Sequence, residues 1–295
     1  MRRALPWILG ALGVVAVAAL WELYKWLGPA DGVVLGATAG QAGSGFRILP
    51  RTGDLNMPHV WDMFERLAAG NGPGTPPLWL SVLAAMGVTL GCAALGLALG
   101  LVVGFALALL MQRSRIVEWG VLPWVIVSQT VPLIAFAPII ARIGSQIDRG
   151  GFPWPGWLSV AVIASYLAFF PVAVGALRGL RSPDAIHVDL LRSYGAGYGQ
   201  TLRKLRLPAS VPYLLPALRL AAASAVVGAV VAEVSIGMPG GLGRMIIQFA
   251  QSASADPALP YGPVFGAVVV GLLAAGSVAL LGLVLRNYRR GEAVA

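Results

Sequence analysis

Long apolar runs constrain this chain more than any other feature. Six stretches are each long enough to cross a bilayer as a helix, which takes about 20 mostly apolar residues. Of the 295 residues, 58% are hydrophobic and only 11% are charged, against roughly 25% charged in an average soluble domain. A soluble fold could not bury that much apolar surface, so we expect an all-α polytopic integral membrane protein. The predicted spans are Leu5–Leu27, Trp79–Met111, Gly120–Ala141, Trp157–Leu177, Tyr213–Val234 and Gly262–Leu285.

These spans predict three parts. Residues 1–27 form a first transmembrane helix, whose apolar run is longer than the central region of a cleaved signal peptide and favours an uncleaved anchor. Residues 28–77 form an extracytoplasmic segment whose role the sequence does not indicate. Residues 78–295 form a five-helix transmembrane core that includes a cytoplasmic loop at 178–212.

Two patterns within these parts predict local structure. Apolar residues recur at helical spacing over 60–67, which predicts a short amphipathic helix in the extracytoplasmic segment. Gly96, Gly100 and Gly104 recur every four residues and therefore line one face of the second span. Such a small-residue face allows two helix backbones to approach closely within a membrane.

The distribution of charge predicts the orientation of the chain. With the N-terminus in the cytoplasm, 14 of the 21 Lys and Arg residues fall in cytoplasmic segments, and basic residues favour that side. Both termini are then cytoplasmic. The net charge of +9 is spread over short clusters between apolar runs. A nucleic-acid-binding protein would concentrate it in one patch, so we expect the lipid bilayer and no nucleic acid as a partner.

The sequence shows no catalytic, cofactor or metal site. Cys92 lies inside an apolar run, and His59 and His187 are far apart in the chain. A nucleotide-binding P-loop needs Gly-x4-Gly-Lys-Ser/Thr, and neither Lys25 nor Lys204 lies in that context. We therefore expect that this chain is not an enzyme and binds no cofactor of its own.

The loop at 178–212 is the longest cytoplasmic segment, and its spacing predicts two short helices joined by glycine. The Ser-Pro-Asp at 182–184 has the residue types of a helix start, with Ser as the cap. Gly195 and Gly197 interrupt the helical pattern, and Pro208 is expected to end the second helix. Arginines on such a helix pair fit either docking onto a soluble partner or contact with anionic lipid headgroups, and the residues alone leave both open.

The spacing within this loop resembles the EAA signature of permease subunits of binding-protein-dependent ABC importers. In that signature an acidic residue lies six positions before a Gly-Ala pair, and a Leu-Pro pair follows. This chain departs from it with Asp in place of Glu, and with two leucines where the family tends to have alanines. The residues in register are Asp189, Gly195, Ala196, Leu207 and Pro208.

Two further stretches resemble the nitrate/sulfonate/taurine-type branch of that family. Residues 130–138 look like its P-x-x-A-x-x-P stretch in the third span. Residues 231–233, followed by the glycines at 240–243, are similar to its fifth span and outer turn. The resemblance covers about residues 79–285 and leaves the extracytoplasmic segment outside it.

The resemblance implies a type I ABC importer permease-like fold in a bacterial inner membrane. Such a subunit forms the path for a small solute delivered by an extracytoplasmic binding protein, and a second permease copy, by default identical, completes the pore. A separate cytoplasmic subunit would bind ATP and Mg and couple through the 184–208 loop. The substrate stays open among small anions, sulfonates and pyrimidine-like vitamin precursors. The implied coupling residues are Asp189, Arg192, Gly195, Ala196, Arg203, Leu207 and Pro208.

Three residues are candidates for the translocation path: Gln129, Pro132 and Glu233. Pro132 lacks an N–H and is expected to kink the third span. Glu233 follows Arg219 by 14 residues (233 − 219), about 21 Å along a helix, so it lies deep in the fifth span. An ionisable group there either lines the path, with Gln129 across the bundle, or caps the helix and braces the turn at 235–243.

Two other functional classes fit the sequence less well. A secondary transporter or channel usually shows inverted repeats or ion-coupling charges within the membrane, and Glu233 is the only candidate for such a charge. A membrane-embedded hydrolase needs a nucleophile and a base within the bundle, but both histidines lie in loops and Cys92 has no evident partner. Co-purification with an ATPase subunit would separate an importer permease from both classes.

Overall fold

A computed structural model of the chain describes residues 5–35, 46–70, 72, 74–151 and 153–284, and most of these residues are helical. Two short antiparallel strands, β1 (Val33–Leu35) and β2 (Phe46–Leu49), form a hairpin that the sequence did not predict. A π-helical turn at Leu202–Arg206 joins α8 to α9. The helices are α1 (Leu5–Leu27), α2 (Val60–Ala68), α3 (Leu78–Arg113), α4 (Arg115–Ser128), α5 (Leu133–Arg149), α6 (Gly156–Leu180), α7 (Ala185–Ser193), α8 (Tyr198–Thr201), α9 (Leu207–Ile236), α10 (Leu242–Gln251) and α11 (Tyr261–Val284).

The described residues form five helical stretches long and apolar enough to cross a membrane, or six if the bent pair α4–α5 is one span. The five are α1, α3, α6, the continuous helix from Tyr198 to Ile236, and α11. The prediction of an all-α polytopic membrane protein is therefore confirmed. Residue 285, at the end of the last predicted span, lies outside the described residues.

The prediction of one helix across Gly120–Ala141 was wrong. Helix α4 ends at Ser128 and α5 begins at Leu133, and the two axes differ by 100°. Pro132 has no N–H to continue the helical ladder, and a proline disfavours the helical conformation for the residue before it. The proline therefore breaks the span rather than kinking it.

The described residues divide into two compact units. The first contains those of 1–82 and 246–264. Within it, α2 confirms the predicted amphipathic helix and buries Met63. The Glu22 carboxylate of α1 accepts a hydrogen bond from the Val60 N–H at 2.7 Å. The Lys25 ammonium lies 2.5 Å from Asp54 and, by hydrogen bonding and charge, lowers the pKa of that carboxyl. Helix α1 is thus tied to the segment at 46–70 that follows it.

The second unit contains the described residues of 83–245 and 265–295, and α6 lies at its core. Helix α6 packs against α9 and α5, and it also contacts the glycine face of α3. A Cβ added at Gly100 would lie 2.8 Å from the Ala168 Cβ, and one added at Gly104 would lie 2.5 Å from the Phe169 carbonyl oxygen. The predicted close helix approach through these glycines is confirmed.

Candidate functional site

Helix α7 begins after Asp184, whose extended backbone makes it the N-cap. The Asp184 carbonyl accepts a hydrogen bond from the His187 N–H at 3.1 Å. The prediction that Ser182 caps this helix was wrong, because its hydroxyl lies 2.8 Å from the Gly179 carbonyl and 3.2 Å from that of Ala209. Ser182 therefore ties the end of α6 to the start of α9 instead.

The glycine joint after α7 is a Schellman motif. Gly195 has a φ of 76°, in the left-handed region that other residues rarely adopt. Its N–H donates to the Arg192 carbonyl at 2.9 Å, and the Ala196 N–H donates to the Leu191 carbonyl at the same distance. These two bonds satisfy carbonyls at the end of α7. The prediction that Gly195 forms the turn between the two helices is thus confirmed.

The prediction that Pro208 ends the second helix was wrong. Pro208 lies in the first turn of α9, and the helix continues from Tyr198 to Ile236. Just before it, the Leu207 N–H donates to the Leu202 carbonyl five residues earlier, which makes the turn π-helical. In a regular α-helix the proline ring would clash with the carbonyl four residues back, and the wider turn removes that clash. The loop is therefore continuous with the fifth span.

Helix α7 has two different faces. On one face Ile186, Leu190 and Tyr194 are 73%, 53% and 81% exposed, at a spacing of four residues. On the opposite face Val188 is buried. Large apolar side chains exposed on one stripe of a polar helix are typical of a surface that binds a partner.

Polar side chains fasten the loop to the ends of two spans. The Tyr198 hydroxyl donates to Gln112 of α3 at 2.8 Å, and the Arg113 guanidinium lies 4.9 Å from the centre of the Tyr198 ring. The Arg206 guanidinium donates to the Leu180 carbonyl at the end of α6 at 3.0 Å. A displacement of the loop would therefore act directly on α3 and α6.

The structure brings the predicted coupling residues together in this one segment. Asp189 and Arg192 form an exposed ion pair at 3.4 Å on α7. Gly195 and Ala196 form the turn, Arg203 lies in the π-helical turn, and the Leu-Pro pair starts α9. Their contact with an ATPase stays a prediction.

The path candidates Gln129 and Pro132 lie together at the break between α4 and α5. The Gln129 side-chain amide donates to the Tyr166 carbonyl of α6 at 3.4 Å, and the Tyr166 hydroxyl donates to the Ser128 carbonyl. Phe136 of α5 stacks at a tilt against the same tyrosine, with ring centres 5.0 Å apart. The break is therefore held in place by Tyr166.

Glu233 lies in a different, buried network. Its side chain has no exposed surface. Its Oε2 accepts hydrogen bonds from the Thr89 hydroxyl at 3.0 Å and from the Gly243 N–H at 2.8 Å. No hydrogen bond joins it to Gln129 among the residues that the structure describes. This geometry fits the bracing interpretation, and a role in the path stays a prediction.

Sequence reasoning missed Thr89, Tyr198 and Arg181 as members of these networks. Arg181 donates to Glu118 at the start of α4 and to the Met111 carbonyl of α3. The sequence did offer a signal for Thr89, because it is a hydroxyl residue within the apolar run at 86–110. Tyr198 and Arg181 carried none, because both resemble ordinary loop residues. Across the described part of the chain, no group of three His, Cys, Asp or Glu side chains could hold a metal ion.

The apolar spans, the broken α4–α5 pair and the glycine-jointed loop define a polytopic membrane protein. Residues 96–290 match the family described as binding-protein-dependent transport system inner membrane component, and the chain belongs to this family. It is therefore a multi-pass inner-membrane permease subunit of a binding-protein-dependent ABC importer, a transport subunit and not an enzyme. Membership implies an ATPase and a binding protein as partners.

Two of its relatives and one solved structure illustrate what this chain is similar to. The formylaminopyrimidine transport permease protein ThiX of Halalkalibacterium halodurans is 34% identical over 208 residues, 69% of this chain and 77% of ThiX. SsuC of Bacillus subtilis, named as an aliphatic sulfonates transport permease, is 28% identical over 290 residues, 98% of this chain and 90% of SsuC. A crystal structure of an amino acid ABC transporter with histidines matches with a TM-score of 0.53 and 19% identity, over 70% of this chain and 94% of that one, which shows a shared fold.

Proposed function

We propose that this permease couples to a cytoplasmic ATPase subunit through its 184–208 loop. The observation that supports this most is the exposed apolar face of α7, formed by Ile186, Leu190 and Tyr194. An apolar helix face with a polar rim is a common protein-binding surface. The loop beside this face is fastened to α3 and α6, so ATP-driven movement of a bound partner would reach the spans as a rigid-body displacement.

The proposal extends to the rest of the importer. An extracytoplasmic binding protein delivers a small solute, a second identical permease completes the pore, and both termini are cytoplasmic, as the excess of basic residues on that side favours. Similarity to ThiX and SsuC supports the nitrate/sulfonate/taurine-type branch. The solute is then a sulfonate or a pyrimidine-like compound, and ATP and Mg bind to the partner ATPase.

The experiment compares Gly195→Val with Gly199→Val. An added Cβ meets nothing within 4 Å at either glycine, but only Gly195 has a positive φ. A left-handed conformation costs a non-glycine residue about 1–2 kcal/mol, and a β-branched residue tolerates it poorly. We expect Gly195→Val to reduce two quantities by at least about tenfold: the amount of ATPase retained by solubilised permease, and solute uptake. The reason is that a misplaced α7 no longer has the geometry needed for docking.

Gly195→Asn is the control for a general effect of adding a side chain at this position, since Asn tolerates the left-handed region. We expect it to retain the ATPase, as Gly199→Val should. Normal retention and uptake in Gly195→Val would overturn the docking proposal. It would favour the other interpretation of the loop, a helix pair that lies on lipid headgroups.

A further inference from the structure

A groove of about 420 Å³ lies on the face of α7 opposite its exposed apolar stripe. Ala185, Val188, Asp189 and Arg192 form the α7 wall. Val188 and Arg192 lie on the side of the helix opposite the apolar stripe, and Ala185 and Asp189 flank them. The other walls are the ends of α3 and α6 and the π-helical turn. Five arginines line it: Arg113, Arg115, Arg181, Arg192 and Arg206.

Two of these arginines have acidic partners. Arg192 pairs with Asp189 at 3.4 Å, where both side chains are largely exposed. Arg181 pairs with Glu118, and the guanidinium also donates to the Met111 carbonyl. Each of these two charges is offset by a carboxylate, but the exposed Arg192, which pairs through Nη1, retains further N–H donors.

The other three are not balanced. Arg206 donates to the Leu180 carbonyl, and Arg113 lies over the Tyr198 ring, but neither partner carries a negative charge. Arg115 forms no ion pair within the described residues. Three formal positive charges therefore remain around one groove, where they repel one another unless an anion lies between them.

We propose that this groove binds a phosphate group. A guanidinium presents a planar fork of donors that matches phosphate oxygens, and several arginines around one concavity favour an anion that can accept many hydrogen bonds. The phosphate can belong to an anionic lipid headgroup or to a soluble cytoplasmic molecule. The surroundings favour lipid, because α3 is an apolar span that ends at Arg113. The first turns of α4 also expose Ile116 and Trp119, as residues at a membrane interface do.

A phosphate in this groove would join α7 to the ends of the spans. It would lie between Arg192 of α7 and Arg113 and Arg115 at the junction of α3 and α4. Occupancy would hold α7 against the spans and leave its apolar face presented to the ATPase. This consequence rests on the proposed function, whereas binding of the phosphate itself does not.

The test measures binding on the full-length permease alone. Permease in nanodiscs of phosphatidylcholine, or of an equal mixture with phosphatidylglycerol, is released into a native mass spectrometer and the retained phosphatidylglycerol is counted. Inorganic pyrophosphate is titrated separately in a thermal-shift assay. We compare Arg115→Gln and the Arg113→Gln/Arg115→Gln double variant with wild type. The matched control is Arg142→Gln/Arg149→Gln, in helix α5 and away from the groove.

We expect phosphatidylglycerol retention to weaken about fivefold for each groove arginine removed, and to be unchanged in the control. Loss of pyrophosphate binding instead would assign the site to a soluble phosphate. Equal binding of both probes by wild type and the double variant would overturn the proposal. Arg115 has no partner within the described residues, so Arg115→Gln tests the site without disturbing a contact. A failure of ATPase docking would leave these binding readouts intact.

Discussion

Glu233 of α9 and Thr89 of α3 are 144 positions apart in the sequence, yet the Thr89 hydroxyl donates to Glu233 Oε2 at 3.0 Å. The same hydroxyl oxygen accepts a hydrogen bond from the Leu242 N–H at 3.0 Å, and Oε2 accepts another from the Gly243 N–H. One carboxylate and one hydroxyl thus join two spans to the first turn of α10. Glu233 Oε1 has no hydrogen-bond partner within the described residues.

Thr89→Val should destabilise the permease in detergent by about 1–3 kcal/mol. Valine has the same shape, but it leaves the Leu242 N–H without a buried acceptor. It also removes one of the two donors to the Glu233 carboxylate, which then keeps only the Gly243 N–H among the bonds described. Thermal unfolding in detergent measures the loss. Thr89→Ser keeps the hydroxyl and should lose much less. Equal unfolding temperatures for Thr89→Val and wild type would show that the network does not hold these segments together.

Comparing Glu233→Ala with Glu233→Gln distinguishes two roles of Glu233: bracing the turn at 235–243, or lining the translocation path. If Glu233 braces the turn, the alanine variant loses stability and assembly, while glutamine keeps an acceptor for the Thr89 hydroxyl and the Gly243 N–H. The buried geometry leads us to expect this result. Uptake and solute-stimulated ATPase activity of the assembled complex are the measurements. A glutamine variant that assembles normally but loses coupling would instead place Glu233 in the path.

Gly104→Ala should destabilise the α3–α6 contact. The added Cβ would lie 2.5 Å from the Phe169 carbonyl oxygen, and backbone cannot move aside cheaply. Overpacking of this kind costs about 1–3 kcal/mol. Gly271→Ala is the matched control, because a Cβ there meets nothing within 4 Å and alanine favours a helix. Indistinguishable unfolding of the two variants would contradict the close approach at Gly104.

Cysteine labelling tests the predicted orientation. In a Cys92→Ala background, which removes a buried thiol, a cysteine at Ser252 should react with an impermeant thiol reagent from outside the cell. A cysteine at Ser193, on the exposed end of α7, should react only after the membrane is permeabilised. The reverse pattern would contradict the assignment of both termini to the cytoplasm.

Local sequence patterns predicted those elements whose conformation depends only on residues close to them in the sequence. The amphipathic helix α2, the glycine face of α3 and the turn at Gly195 all follow from residue type and spacing. The failures at Ser182 and Pro208 have tertiary causes. The Ser182 hydroxyl bonds the ends of α6 and α9, and the π-helical turn accommodates Pro208 within a continuing helix.

By itself, the sequence determined that this is a polytopic membrane protein with a glycine-jointed loop, because span length, charge bias and backbone preference are properties of short segments. Only the tertiary structure decided that Glu233 bonds Thr89 and that five arginines surround one groove. These residues come from separate helices, and which helices are neighbours depends on packing across the whole bundle. A hydrogen bond between residues 144 positions apart leaves no trace in the spacing around either one.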